Sequence, residues 1–99
     1  MLIYHMVLPE VWEKFKGEDF YEAESLQTEG FIHCSFVEQI ETVLNRYYKN
    51  TERVFLLEIE TEKLTSELIN EPSTGGEIYP HIYGKINKEA IAKTEERSM

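Results

Sequence analysis

His33 and Ser35 stand two residues apart in the stretch Glu29-Gly30-Phe31-Ile32-His33-Cys34-Ser35-Phe36-Val37-Glu38-Gln39. Phe31 to Cys34 is a short run of β-formers, and residues two apart on a strand share a face. The imidazole and the hydroxyl therefore point one way, Ile32 and Cys34 the other. Such a pair suits proton transfer near neutral pH or hydrogen bonding to a ligand. Ser35 followed by Glu38 reads as a capping box that opens a helix. The free N–H groups and positive dipole end of that helix favour an anionic group such as a phosphate.

The other two histidines, His5 and His81, also fall in predicted strands. Brought together, the three would serve as general acid and base or as donors to a ligand. The plainer account makes each a half-buried ring donating to a backbone carbonyl. For any one of them alone that account is favoured, whereas for His33 with Ser35 function comes first. Three imidazoles also suit a catalytic zinc with an open position, but no pair stands at i, i+2 or i, i+4, so no metal site is assigned. Cys34 faces away from the His33 ring, which excludes a Cys/His nucleophile there and makes it a small buried hydrophobe. A two-histidine phosphodiesterase needs His-x-Ser/Thr twice, and His81-Ile82-Tyr83 supplies tyrosine instead.

These residues need strands and helices to hold them. Leu2 to Met6 reads as a strand with Ile3 and His5 on one face and Tyr4 and Met6 on the other. Pro9 then opens a helix in which Leu8, Val11, Trp12 and Phe15 keep helical spacing up to Gly17, with Trp12 in the core. Phe20 to Glu24 is a short strand running into a turn at Ser25-Leu26-Gln27 that Gly30 closes. After the His33 strand comes a helix whose stripe is Val37, Ile40, Val43 or Leu44, and Tyr47, stopping at Asn50. Val54 to Glu60 is apolar on both faces before it alternates, as a central strand does, and Glu58 near its end is a solvated carboxylate. Leu64 and Leu68-Ile69 give a turn and a short strand, and Glu71 to Glu77 a flexible loop. Ile78 to Gly84 alternates again, with Tyr79, His81 and Tyr83 on one face, and Pro80 puts it at a sheet edge or bulge. Asn87 caps a last helix through Ala90 and Ile91, and 93–99 is a frayed tail. The expected fold class is α+β, one domain over 1–99, with a mixed split β-sheet and flanking helices.

Ninety-nine residues, 41% of them hydrophobic, with five Phe, six Tyr and one Trp, suffice for a small core. Nineteen acidic against ten basic residues leave a formal charge of -9 and a pI near 4.8, a surface that repels phosphate backbones and anionic membranes. General nucleic-acid binding is therefore not expected. Arg46, Lys49 and Arg53, like Lys85 and Lys88, read as solvated helix ends. No run is long enough to span a membrane and no signal-type N-terminus is present, so the expected location is cytoplasmic. A single cysteine is compatible with a reducing compartment.

The chain resembles the domain of unknown function 952 family. The resemblance rests on Ala23-Glu24-Ser25-Leu26, on Glu29-Gly30-Phe31-Ile32-His33-Cys34-Ser35 with Gln39, and on Leu56-Leu57-Glu58-Ile59. Glu71-Pro72-Ser73 with Gly75-Gly76 and Pro80-His81-Ile82-Tyr83-Gly84 complete it, with Tyr79 where phenylalanine is usual. That family in turn resembles the ADP-ribosyltransferase superfamily, above all its RNA 2'-phosphotransferase branch. His5 matches the first-strand histidine of that branch, and Gly30, His33 and Ser35 match its second motif. Met6-Val7 replaces the small Gly-Thr pair, and the arginine set of that branch is absent from the matching places.

The resemblance implies an ADP-ribosyltransferase-like fold and NAD as a candidate substrate. Breaking the nicotinamide–ribose bond passes through an oxocarbenium-like state that a nearby carboxylate stabilises. The implied catalytic residues are His33, His5 and Glu71, with Glu77 behind Glu71. The implied ligand-binding residues are Ser35, His81, Tyr83, Ser25 and Gly30. The leading expectation is binding of NAD, ADP-ribose or a related nucleotide in a histidine-lined cleft, with ADP-ribosyl transfer or hydrolysis as the associated chemistry. A non-catalytic interaction module with structural histidines is the alternative, and a metal-dependent hydrolase comes third. No cofactor is assigned, and the oligomeric state is left open.

Overall fold

Alternation along the first strand lets it serve two cores at once. β1 (Leu2–Val7) turns Ile3 and Val7 to one side and Tyr4 and Met6 to the other, as its spacing predicts. The structure, a computed structural model, describes residues 1–99, the side chain of Thr74 excepted. After β1 come α1 (Pro9–Phe15), β2 (Phe20–Tyr21), α2 (Glu24–Thr28), β3 (Ile32–His33) and α3 (Ile40–Tyr47), the last entered through a single 3-10 turn at Val37–Gln39. β4 (Arg53–Glu60), β5 (Glu67–Pro72), β6 (Ile78–Tyr83), β7 (Ile86–Asn87) and β8 (Ile91–Ser98) complete the chain.

The strands form three ladders, in the orders β1-β4-β8, β2-β7 and β3-β6-β5. Every pairing is antiparallel, so the expected mixed sheet is corrected to an antiparallel one, split into separate ladders. β4 is central, as its two apolar faces require. Val54 and Leu56 pack with Met6, Ile40 and Leu44 under α3. Leu57 and Ile59 join Ile3, Val7, Ile32 and Ile82 in the larger core, against which Val11, Trp12 and Phe15 of α1 pack. Each such side chain, fully buried, contributes about 1.5–3 kcal/mol.

Four other expectations are corrected. β6 is the middle strand of its ladder, not an edge, although Pro80 lies within it and is fully buried. A residue in an antiparallel strand directs its N and C=O to the same side. The Pro80 carbonyl accepts the Cys34 amide at 3.1 Å, so its missing N–H falls where β3 leaves the ladder. The last helix and the frayed tail are replaced by a 3-10 turn at Lys88–Ala90 and by β8, which pairs with β4 from Arg53↔Ser98 to Ile59↔Ile91. Ser35 is not the helix cap, because its N–H and C=O are taken by Tyr4 in a bridge of 2.7 and 2.8 Å. Gln39 instead folds its side chain back onto the Phe36 N–H at 2.9 Å. The stripe of α3 is shorter than its sequence suggests, since Val37 is 62% and Tyr47 58% exposed while Ile40 and Leu44 are buried.

The loop expected over Glu71 to Glu77 is shorter, because Glu71 and Pro72 still pair in β5, and Ser73 to Glu77 is the turn of the β5–β6 hairpin. Gly75 and Gly76 take φ of 71° and 79°, a region where a Cβ is strained, and the Ser73 N–H closes on the Glu77 carbonyl at 2.9 Å. Among the described residues no helix is long and apolar enough to cross a membrane.

Candidate functional site

A cleft of about 670 Å³ opens between β1, the end of β3, α2 and α3. His5, Ser25, His33 and Ser35 all line it, so four of the eight site residues expected from sequence meet there. β1 delivers His5 and the Tyr4–Ser35 bridge holds the end of β3 against it, which brings His33 and Ser35 to the same wall.

His5 is buried with both ring nitrogens engaged. Nδ1 lies 2.6 Å from the His33 carbonyl oxygen, which can only accept, so Nδ1 carries the proton. Nε2 then accepts from the Tyr21 hydroxyl at 2.7 Å. Burial pushes the His5 pKa down to about 4 despite the bond to His33, so the ring is neutral at pH 7. Burial likewise raises the Tyr21 phenol and the Cys34 thiol, consistent with Cys34 as an inert core residue. The His33 ring, by contrast, is half exposed and pairs through Nε2 with Glu29 at 3.1 Å. Ser25 donates its hydroxyl to the Phe31 carbonyl at 2.7 Å and so ties α2 to the segment carrying His33. Gly30 adopts φ 90° after α2, and its N–H caps the Ser25 and Leu26 carbonyls at 3.1 and 3.2 Å.

Glu71, His81 and Tyr83 do not line the cleft. They form a second cluster on the outer face of the β3-β6-β5 ladder, where His33 pairs with His81 and Ile69 pairs with His81 from the other side. His81 donates Nδ1–H to Glu71 Oε1 at 2.8 Å, and the Tyr83 hydroxyl donates to the same oxygen. The Tyr83 bond first, then that of His81, lowers the Glu71 pKa, and the same carboxylate raises that of Tyr83. Phe31 stacks on the His81 ring with centroids 4.1 Å apart, and the His33 ring meets His81 edge-on at 5.3 Å. His81 Nε2 is buried without a partner among the described residues. Glu77 belongs to neither set but touches the cleft wall, accepting from Gln39 Nε2 at 2.9 Å and from the Tyr79 hydroxyl at 3.4 Å.

The expected phosphate site at the helix start is not assembled. Val37 and Glu38, the opening turn, line a separate apolar depression with Met1, Leu2 and Tyr4. It is the other end of α3 that reaches the cleft, with Arg46, Tyr47 and Tyr48, and β6 adds Tyr79. From sequence Arg46 reads as a solvated helix end with Lys49 and Arg53, Tyr47 as part of the apolar stripe of its helix and Tyr79 as a strand residue beside His81, so none of these is marked for the site, nor is Tyr48. The run Arg46-Tyr47-Tyr48, a cation beside two aromatics, was the signal available. Glu24 and Glu29 line the cleft from α2 and its closing turn. Among the described residues no group of three or more His, Cys, Asp or Glu is placed to hold a metal ion.

Fold and site together define a small antiparallel α+β domain with a cleft walled by tyrosine and histidine. The chain belongs to the family described as protein of unknown function (DUF952), whose sequence model matches residues 6–94. A crystal structure of Protein CC0527 from Caulobacter crescentus is similar at 27% identity and TM-score 0.86, covering 97% of this chain and 85% of that one. A solution NMR structure of CC0527 is similar at 26% identity and TM-score 0.85, covering 99% and 85%. No curated protein matches the chain.

Proposed function

We propose that the cleft binds a small nucleotide of the NAD or ADP-ribose class. The observation that carries this reading is the make-up of the cleft. An open cleft of about 670 Å³ is lined by the tyrosines Tyr4, Tyr21, Tyr47, Tyr48 and Tyr79 together with His33, Ser35 and Arg46. That size falls within the range of about 300–1,000 Å³ usual for ligand sites. Aromatic walls suit a base or nicotinamide ring, and the polar groups suit ribose and phosphate. The likeness of the His33-Cys34-Ser35 motif to the RNA 2'-phosphotransferase branch, and with it an ADP-ribosyltransferase-like fold, supports the same ligand class. Transfer or hydrolysis would need a carboxylate beside the ribose. Glu24 and Glu29 stand in the cleft wall for that role, whereas Glu71 lies in the neighbouring cluster.

The rival reading, an interaction module with structural histidines, draws support from His5, whose two nitrogens are already bonded within the fold. A thermal-shift panel of NAD, ADP-ribose, mononucleotides and phosphorylated sugars on wild type and His33→Ala separates the two. A ligand at one hundred times its Kd adds about 2.7 kcal/mol, which raises Tm by about 10 °C or more in a domain of this size. The expected result is such a rise with a nucleotide, lost in His33→Ala. Flat curves throughout would leave the interaction module standing.

A further inference from the structure

Arg46 is the one lysine or arginine among the described residues that line the cleft, in a protein whose formal charge is -9. It sits in the last turn of α3, where the negative end of the helix dipole would by itself repel an anion. Its guanidinium lies 5.9 Å from the centre of the Tyr47 ring, and Tyr79 lines the same cleft. A guanidinium carries five N–H donors in a planar fork, more than a neighbouring phenol can take, so donors are left for a further partner. Tyr79 is buried in β6 and accordingly a rigid support. Different elements supply the opposite sign. Glu24 opens α2, Glu29 follows its end, and Glu29 pairs with the His33 ring. Carboxylates accept from hydroxyl groups and repel phosphate.

We infer that a phosphoryl group of the bound ligand docks on Arg46, with the ligand's sugar hydroxyls turned to Glu24, Glu29 and His33. This rests on the cleft being the nucleotide site, and it makes Arg46 the residue that selects phosphorylated over unphosphorylated ligands. The ligand class is a phosphate ester of a hydroxyl-rich sugar, and one guanidinium meets one phosphoryl group whether the ligand carries one or two. The phosphate thus sits at the C-terminal end of α3, the end opposite to the one its sequence suggests.

Calorimetric titration of wild type, Arg46→Gln and Arg46→Lys with adenosine, AMP and ADP-ribose tests this. A charge-assisted hydrogen bond corresponds to at least about a tenfold change in affinity. AMP is therefore expected to bind wild type about tenfold or more tighter than adenosine. The gap should close in Arg46→Gln with adenosine affinity unchanged, and the loss factor should be alike for AMP and ADP-ribose. Arg46→Lys, which keeps the charge without the planar fork, should retain part of the gap and serves if the glutamine variant fails to fold. Equal affinity for adenosine and AMP in wild type, or a preference for AMP that survives both substitutions, would overturn phosphate docking while leaving the cleft as a binding site. No binding of any of the three would overturn the cleft reading and the docking with it.

Discussion

β4 and β6 are both middle strands of three-stranded antiparallel ladders, yet they are built for different ends. β4 is sandwiched in hydrocarbon, with Val54 and Leu56 under α3 and Leu57 and Ile59 in the larger core. β6 sends Pro80 and Ile82 inward and carries Tyr79 and His81, both buried, with Tyr83 on its other face, where each bonds a carboxylate. A strand covered by carbon on both sides has no place for an acid or base, because a buried polar group without a partner costs several kcal/mol. A strand with one polar face holds N–H and O–H groups on a rigid support at little cost to the core. The apolar core is thus concentrated on β4 and the polar groups on β1 and β6, which meet at His33, whose carbonyl holds His5 and whose ring touches His81.

The largest effect is expected on the β4 side. Leu57→Ala, at a fully buried position, should lower the unfolding free energy by about 2–5 kcal/mol in urea titrations. His5 tests the polar exception within the same ladder. Its pKa is about 4 in the fold against about 6.5 unfolded, so the unfolded chain binds more protons between those values. Its contribution is fully present above pH 6.5 and is lost as pH falls toward 4, by about 3 kcal/mol in all. Unfolding measured across that window should slope in wild type and flatten in His5→Gln. The smallest effect belongs to β6. Tyr83→Phe should leave Tm close to wild type while raising the Glu71 carboxyl midpoint toward its ordinary value in an NMR titration, because the Tyr83 hydroxyl is the first cause of its depression. In wild type that depressed carboxyl stabilises the fold above its ordinary pKa and ceases to do so as pH falls through the folded value. A loss of stability in Tyr83→Phe as large as that in Leu57→Ala would break the division between the two strands.

Much of this was legible beforehand where side-chain period and packing agree. β1, α1 and β4 follow from their apolar spacing, and the turn after α2 follows from Gly30. β8 was hidden because Lys93-Thr94-Glu95-Glu96-Arg97 has no apolar period, and pairing with β4, not propensity, makes it a strand. Ser35 was misplaced as a cap because Tyr4, far away in sequence, claims its backbone. At the site, His5, His33, Ser35 and Ser25 were recognised and do meet. Glu71, His81 and Tyr83 were recognised too, but strand order, which local motifs do not encode, sends them to a separate face. Arg46 and Tyr79 were missed because their roles depend on where α3 ends against β6.

The position of β8 bears on what its loss would expose. β4 has β1 on one edge and β8 on the other. With β8 peeled away, the strand richest in buried leucine and isoleucine would keep one partner and one bare edge, and bare apolar edges are templates for pairing between chains. The charged residues of β8 shield that edge, and a variant in which β8 cannot pair would be the form most prone to aggregate.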